Sequence, residues 1–399
     1  MAKAKASKKK TASKKKSPRA LLVGTAKGGF ILRPEGRRWS IEGPHWLGSK
    51  VHDFRLDPRD GETMLLTSTG GHLGPTLYRS TNGGRKWTEA SRPPQFAKLK
   101  RGKKKPGDDG TSRGLSVSIN FFLSPGHHDE PGAWYLGTSP HGLFRSEDHG
   151  DTWAEVQGFN HHPSYWKWTG EGQPGTPDGS FLHSIRTDPR DPKHLYLSMS
   201  GGGTFESKDG GKKWAPINSG VAMDFYPGPP REYGQDPHCM IIHPADPDVL
   251  YQQNHCGIYR LDRREGDTWD RIGMKMPKKV GDIGFPIAGH PKDVNTVWVF
   301  PMDGTELWPR TCPGGQAAVY RTRNGGKRWE RLDQGLPKEH AWWTVKRQAF
   351  SLEDVRPEPA IVFGTTSGEI WRGANGGEKF ERIAEHLPQI FSVSAVQFS

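Results

Sequence analysis

The stretch Arg79–Trp87 reads RSTNGGRKW, and the chain then writes it again: RSEDHGDTW from Arg145, ESKDGGKKW from Glu206 and RTRNGGKRW from Arg321. Looser copies are RLDRREGDTW from Arg260 and RGANGGEKF from Arg372, with the remnant RPEGRRW at Arg33. Every copy ends on an aromatic ring: Trp39, Trp87, Trp153, Trp214, Trp269, Trp329 and Phe380. Self-similarity at a period of about 50 to 65 residues is the mark of a repeat architecture, in which stacked units share one core.

One unit shows what is repeated. FLHSIRTDP, from Phe181, is a short apolar strand ending in an Asp-Pro turn, and HLYLSMS is a second strand ending at Gly201. TFESKDGGKKW supplies a third strand, a tight Asp-Gly-Gly turn and entry to a fourth at Trp214. Four antiparallel strands make one propeller blade. Further blades open at Val51, Ser116, Pro237, Gly284 and Val345. The seventh is split: ALLVGTAKGGFILR lies near the N-terminus and SVSAVQFS at the C-terminus, which closes the ring and removes sheet edges. The expected fold is all-β, a single seven-bladed β-propeller over residues 20–399 closed by N- and C-terminal strands in one blade, preceded by a disordered basic tail over residues 1–19.

The net charge of +13 belongs mainly to appendages. The first 19 residues carry eight Lys and one Arg without an acid, and KLKRGKKK at Lys98–Lys105 adds six more basic residues. The tail suits weak contact with nucleic acid or an anionic surface. No apolar run is long enough to span a membrane. Three Cys (Cys239, Cys256, Cys312) without metal-type spacing point to buried thiols and a cytoplasmic setting.

The pattern Ser/Thr-x-Asp/Asn-x-Gly-x-x-Trp resembles the Asp-box, or BNR repeat, of the sialidase-like propellers. Similar boxes occur in sortilin/Vps10 ectodomains, xyloglucanase-type glycosidases and photosystem II assembly factors of the Ycf48 type. GQDPHCMIIHPADPDVLYQQNHCGIYR and VFGTTSGEIW look like a bacterial group of single-propeller proteins described as exo-sialidase-like or Vps10-like. The resemblance covers residues 20–399 and implies the fold. It does not carry sialidase chemistry over: the N-terminal Arg-Ile-Pro signature is absent, and Arg186, Arg231, Arg310 and Arg347 are scattered. The box itself reads as structural, because Asn replaces Asp at Asn82, Asn324 and Asn375, which a turn hydrogen bond tolerates and acid catalysis does not.

Function is expected on the opposite face from the boxes, where the long links between blades lie. These links hold His161, His162, Tyr165, Trp166 and Trp168; Tyr226, Arg231, Glu232, Tyr233 and Asp236; and Trp342, Trp343, Lys346 and Arg347. Counting back six residues from the Pro that ends each first strand gives His52, His183 and His238, with Ile119 and Phe285 in two other blades. His72, His141 and His255, with Asn254, fall on turns of the same face. Glu232, Asp236, Asp53 and His238 are the acid/base candidates. His52, His183, His255, Asn254, Arg347, Tyr233, Trp166 and Trp343 are the binding candidates. The expected ligand is a glycan or similar polar molecule, bound or hydrolysed without a cofactor. Two alternatives stand beside it: a protein-binding or assembly scaffold, and a metal-dependent enzyme using His52, His183 and His238.

Overall fold

The structure is a computed structural model that describes residues 19–71, 74–98, 115–170, 179–304 and 310–399. Residues 1–18 of the basic tail, most of Lys98–Lys105 and His72 lie outside these residues, while Arg19, expected in the tail, opens a strand. Seven four-stranded antiparallel sheets form the molecule. Blade 1 opens with Phe54–Leu56, blade 2 with Ile119–Pro125, blade 3 with Leu182–Asp188, blade 4 with Pro237–His243, blade 5 with Gly284–Gly289 and blade 6 with Phe350–Glu353. Blade 7 is composite: Ile390–Gln397 pairs with Arg19–Thr25, followed by Gly28–Glu35 and Arg38–His45. This is the closed seven-bladed β-propeller expected from the repeat. Three openings differ by a few residues. In blade 1 the strand begins at Phe54 because Val51 instead donates its N–H to Thr25 of blade 7.

The space between blades is filled with large apolar side chains. Trp214, Phe205 and Phe159 pack with Leu182 on one side of blade 3, and Trp298, Phe363 and Phe380 form part of a continuous core under blades 5 to 7. The three cysteines are buried and unpaired.

Four of the repeated turns are built alike. The Ser or Thr hydroxyl donates to the side-chain oxygen two residues on: Ser80 to Asn82 at 3.0 Å, Ser146 to Asp148 at 2.8 Å, Ser207 to Asp209 at 3.0 Å and Thr322 to Asn324 at 3.0 Å. That same oxygen accepts the backbone N–H of Lys86, Thr152, Lys213 and Arg328, each at 2.9 Å. Gly211 holds φ at 85°, and a Cβ there would lie 2.9 Å from Val156, so both backbone and packing demand glycine. Blade 6 departs from the pattern. Gly373 occupies the hydroxyl position, and Asn375 donates to Glu378 at 2.9 Å rather than accepting backbone bonds as expected.

A charge is therefore dispensable in the turn and an oxygen is not. Asp209→Asn should leave urea stability within about 0.5 kcal/mol, as Asn already serves in two of the four turns. Asp209→Ala leaves backbone donors without their acceptor and should cost about 1–2 kcal/mol in the same measurement.

Candidate active site at the channel mouth

In each blade the innermost strand starts on the face that carries the blade-to-blade links. Five of these strands carry a β-bulge near that start: between Asn120 and Phe122, between His183 and Arg186, between Pro237 and Cys239, between Gly284 and Ile287, and at Phe391 between Ile390 and Ser392. A bulge inserts a residue that opposes none and re-aims its side chain. Here the bulged stretches contain Phe121, Ser184, His238, Phe285 and Phe391.

The result is a crowded mouth. His183 is fully buried, and His238 and His52 nearly so. Side chains cross the bore: Gln348 of blade 6 donates to the Phe121 carbonyl of blade 2 at 2.8 Å, and Arg347 donates to Ser200 Oγ of blade 3 at 3.1 Å. The Arg347 guanidinium lies 5.5 Å from the Phe121 ring centroid, 5.9 Å from Phe181 and 5.3 Å from Phe285. This is a cation held among three aromatic faces. Phe121 stacks on Phe181 at 4.0 Å, and His52 stacks on Phe391 at 4.8 Å.

The charges settle into definite states. Burial is the main force that pushes His183 well below the usual imidazole range, helped by Arg347, His238 and His141. His141 Nε2 donates to the Ser200 carbonyl, 3.1 Å away, and burial lowers the ring's pKa to about 4. His255 is lowered to about 4 by burial and then by His238. Burial works against the Asp236 charge, but His238, His255 and Arg347 outweigh it and hold the carboxyl below its ordinary range. Asp236 accepts the Gly201 N–H at 3.1 Å, and its Oδ2 lies 3.5 Å from both His238 Nε2 and His255 Nδ1.

The structure thus gathers Asp236, His238, His255, His183, His52 and Arg347 at one end of the bore. The other candidates go elsewhere. Asp53 is fully buried, bound to Arg55 at 2.7 Å and to the Leu123 N–H at 2.8 Å, and burial raises its pKa. It ties blade 1 to blade 2 and does not face solvent. Asn254 shapes its own turn, accepting the Cys256 N–H at 3.0 Å and donating to Gln252 at 2.8 Å. Trp343 is a core residue, 5.8 Å from Phe300. Glu232 is exposed and lines a separate groove with Asn218, Arg231 and Asp267. Tyr233 and Trp166 pack half-buried against the core beside blade 3. Phe121, Phe181 and Phe391 were not visible as site residues in the sequence. The bulge displaces the register from Ile119 to Phe121, and Phe391 sits at a bulge in a first strand that no Pro follows.

No protein-family model matches the chain. Two curated relatives are each 22% identical to it. A Paenibacillus xyloglucanase matches over 374 residues, 85% of this chain and 32% of its own length. A probable oligoxyloglucan-reducing end-specific xyloglucanase of Neosartorya fischeri matches over 378 residues, 84% of this chain and 42% of its own. Among solved structures, the GH74 xyloglucanase from Xanthomonas campestris superposes with a TM-score of 0.62 at 19% identity, covering 95% of this chain and 52% of that one. A functionally unknown protein from Desulfotomaculum acetoxidans gives 0.53 at 12% identity, covering 96% and 100%. These likenesses show the fold, a β-propeller. The chain spans 32% and 42% of these two curated relatives' lengths. Among the described residues no helix is long and apolar enough to cross a membrane.

Proposed function

We propose that the channel mouth binds a polar, hydroxyl-rich ligand of the glycan class. The observation that carries this reading is the pairing of Arg347, braced among three phenylalanine rings, with His183, whose buried Nε2 has no hydrogen-bond partner. Aromatic faces and a few convergent polar groups are what a sugar ring requires. Phe225, half-exposed and 5.6 Å from His255, extends the aromatic wall outward. The xyloglucanase relatives support the ligand class.

Binding is favoured over hydrolysis by the two-carboxylate route. That route needs a pair of carboxyl groups about 5–10 Å apart across the scissile bond. Of the acidic candidates, Asp53 is locked to Arg55 inside the bore and Glu232 lines the outer groove, which leaves Asp236 alone at the mouth.

A glycan array in the presence of a chelator tests the proposal. The wild-type chain should retain at least one glycan class. Arg347→Ala and His183→Ala, each checked by melting, should weaken that binding about tenfold or more, the effect of losing a charged hydrogen-bonding group. A wild-type chain that retains nothing, or variants that bind unchanged, would remove the reading.

A further inference from the structure

The geometry points to a site for a divalent first-row transition ion at Asp236, His238 and His255. The site stands independently of the glycan reading.

Three side-chain atoms converge. Asp236 Oδ2, His238 Nε2 and His255 Nδ1 all lie within 4.8 Å of one another. The tautomer of His238 follows from its other nitrogen. Nδ1 is 2.6 Å from the Gly284 carbonyl, which only accepts, so Nδ1 carries a hydrogen and Nε2 is the nitrogen left to face Asp236, with a lone pair to offer an ion. A lone pair and a carboxylate oxygen then face each other at 3.5 Å. A proton shared between them would draw the atoms to about 2.7–2.9 Å. Two ligands on a tetrahedral ion, each at about 2.1 Å, lie roughly 3.4 Å apart, which is close to the separation found.

The surroundings are those of a metal ligand set. The spare nitrogen of His238 is fixed by a backbone carbonyl, and Asp236 Oδ1 by the Gly201 N–H at 3.1 Å. Outer partners of this kind orient ligands toward an ion. His255 is held on the turn after Asn254, its N–H bonded to the Asp236 carbonyl at 2.9 Å. His183 Nε2, buried and without a hydrogen-bond partner, lies close enough to His238 that the second ring disfavours charge on the first. Two imidazoles and one carboxylate favour a transition ion over magnesium or calcium. Three protein ligands leave coordination positions open, as in sites where an ion handles substrate rather than only structure.

Other charged groups bear on the same place. Arg347 acts on Asp236 and on His183, and Arg310 and Asp224 act on His255. With a divalent ion in place the region is strongly positive, so the open positions are suited to an anionic or ionised oxygen ligand.

The expected ligand set is not the one anticipated from the sequence. His52 stacks on Phe391 and His183 bonds Ser184 Oγ through Nδ1 at 2.9 Å, so Asp236 and His255 complete the set with His238. A second cluster, His127, His128 and Asp129, is weaker. His127 already spends one nitrogen on the Pro189 carbonyl and the other on the Asp129 N–H.

The test is titration of the full chain with Zn²⁺ by calorimetry, and with Co²⁺ followed in the visible spectrum. About one ion per chain should bind, with a Co²⁺ band showing nitrogen ligation. Asp236→Asn and His255→Ala should each weaken binding at least tenfold, since loss of an outer partner alone costs about 10–100-fold. His255 is partly exposed, so its variant keeps the falsifying measurement available even where His238→Ala fails to fold. The double variant His127→Ala/His128→Ala should bind as the wild type does. Absence of binding in the wild type overturns the site, and so does binding that survives Asp236→Asn and His255→Ala.

Discussion

Removing the last ten residues, Ile390 to Ser399, should abolish the stable ring. Ile390–Gln397 is the innermost strand of blade 7 and pairs with Arg19–Thr25 along its whole length. Ile390, Ser392 and Val393 are fully buried, and Val393 packs with Val23 and Phe363 in the core shared by blades 5 to 7. Truncation deletes that packing and leaves Arg19–Thr25 as an unpaired apolar edge. Such an edge invites association with other chains. A single Ile390→Ala should already cost about 2–5 kcal/mol. The whole strand should cost more than about 5 kcal/mol, a large share of the usual 5–15 kcal/mol of a folded domain. Soluble yield and thermal melting would show it. Adding a synthetic peptide of residues 388–399 should restore part of the melting temperature. A truncated chain that melts like the full one would show that the ring does not depend on this closure.

The second large effect is a loss of stability in mild acid. His141, His183 and His255 all have folded pKa values lowered mainly by burial. An imidazole held neutral in the folded state stays unprotonated while the unfolded chain begins to bind protons near pH 6.5. Stability is therefore unaffected above about pH 7 and falls as pH drops from 6.5 toward the folded value. For His141, fully buried and lowered to about 4, the loss over that window is about 3 kcal/mol. His183 adds to it, and His255 adds less because it is partly exposed. Asp53, raised by burial, works in the opposite direction: as pH falls through its raised folded value toward the ordinary carboxylate range, the folded state takes up a proton and gains stability. Urea unfolding at pH 7.5 and pH 5 should thus differ by several kcal/mol, on the order of 1.4 kcal/mol per pH unit for each ring. His141→Asn should reduce the slope by about one ring's share. A flat stability profile across this range would contradict the buried, neutral rings described above.

The number of blades, the place of each turn and the closing strand were legible because they rest on local chemistry. A turn that needs positive φ selects Gly211, and a carboxyl or amide oxygen at Asp148 or Asn324 satisfies backbone donors within five residues. Such requirements leave marks in consecutive letters. The clustering of His52, His183 and His238 was also legible, because equivalent positions in a closed ring converge on one axis. What failed to show was the division of labour among candidates. Asp53 and Asp236 look alike as letters in a link. Arg55 lies beside the first and His255 beside the second, and only the folded arrangement tells them apart. Trp342 and Trp343 are adjacent, yet one is exposed and the other sits in the core.

The sequence alone determined the ring: seven strand-and-turn units, each unable to bury its own faces, must stack on one another and close through the two ends. The tertiary structure alone decided the site. Bulges at the strand starts rotate Phe121, His238 and Phe285, and groups more than a hundred residues apart, such as Arg347 and Ser200, meet across a bore narrow enough for one side chain to span. The reason is physical. Turn chemistry acts over a few bonds, whereas Asp236 is held by His238 and His255 of blade 4, the Gly201 N–H of blade 3 and Arg347 leading into blade 6.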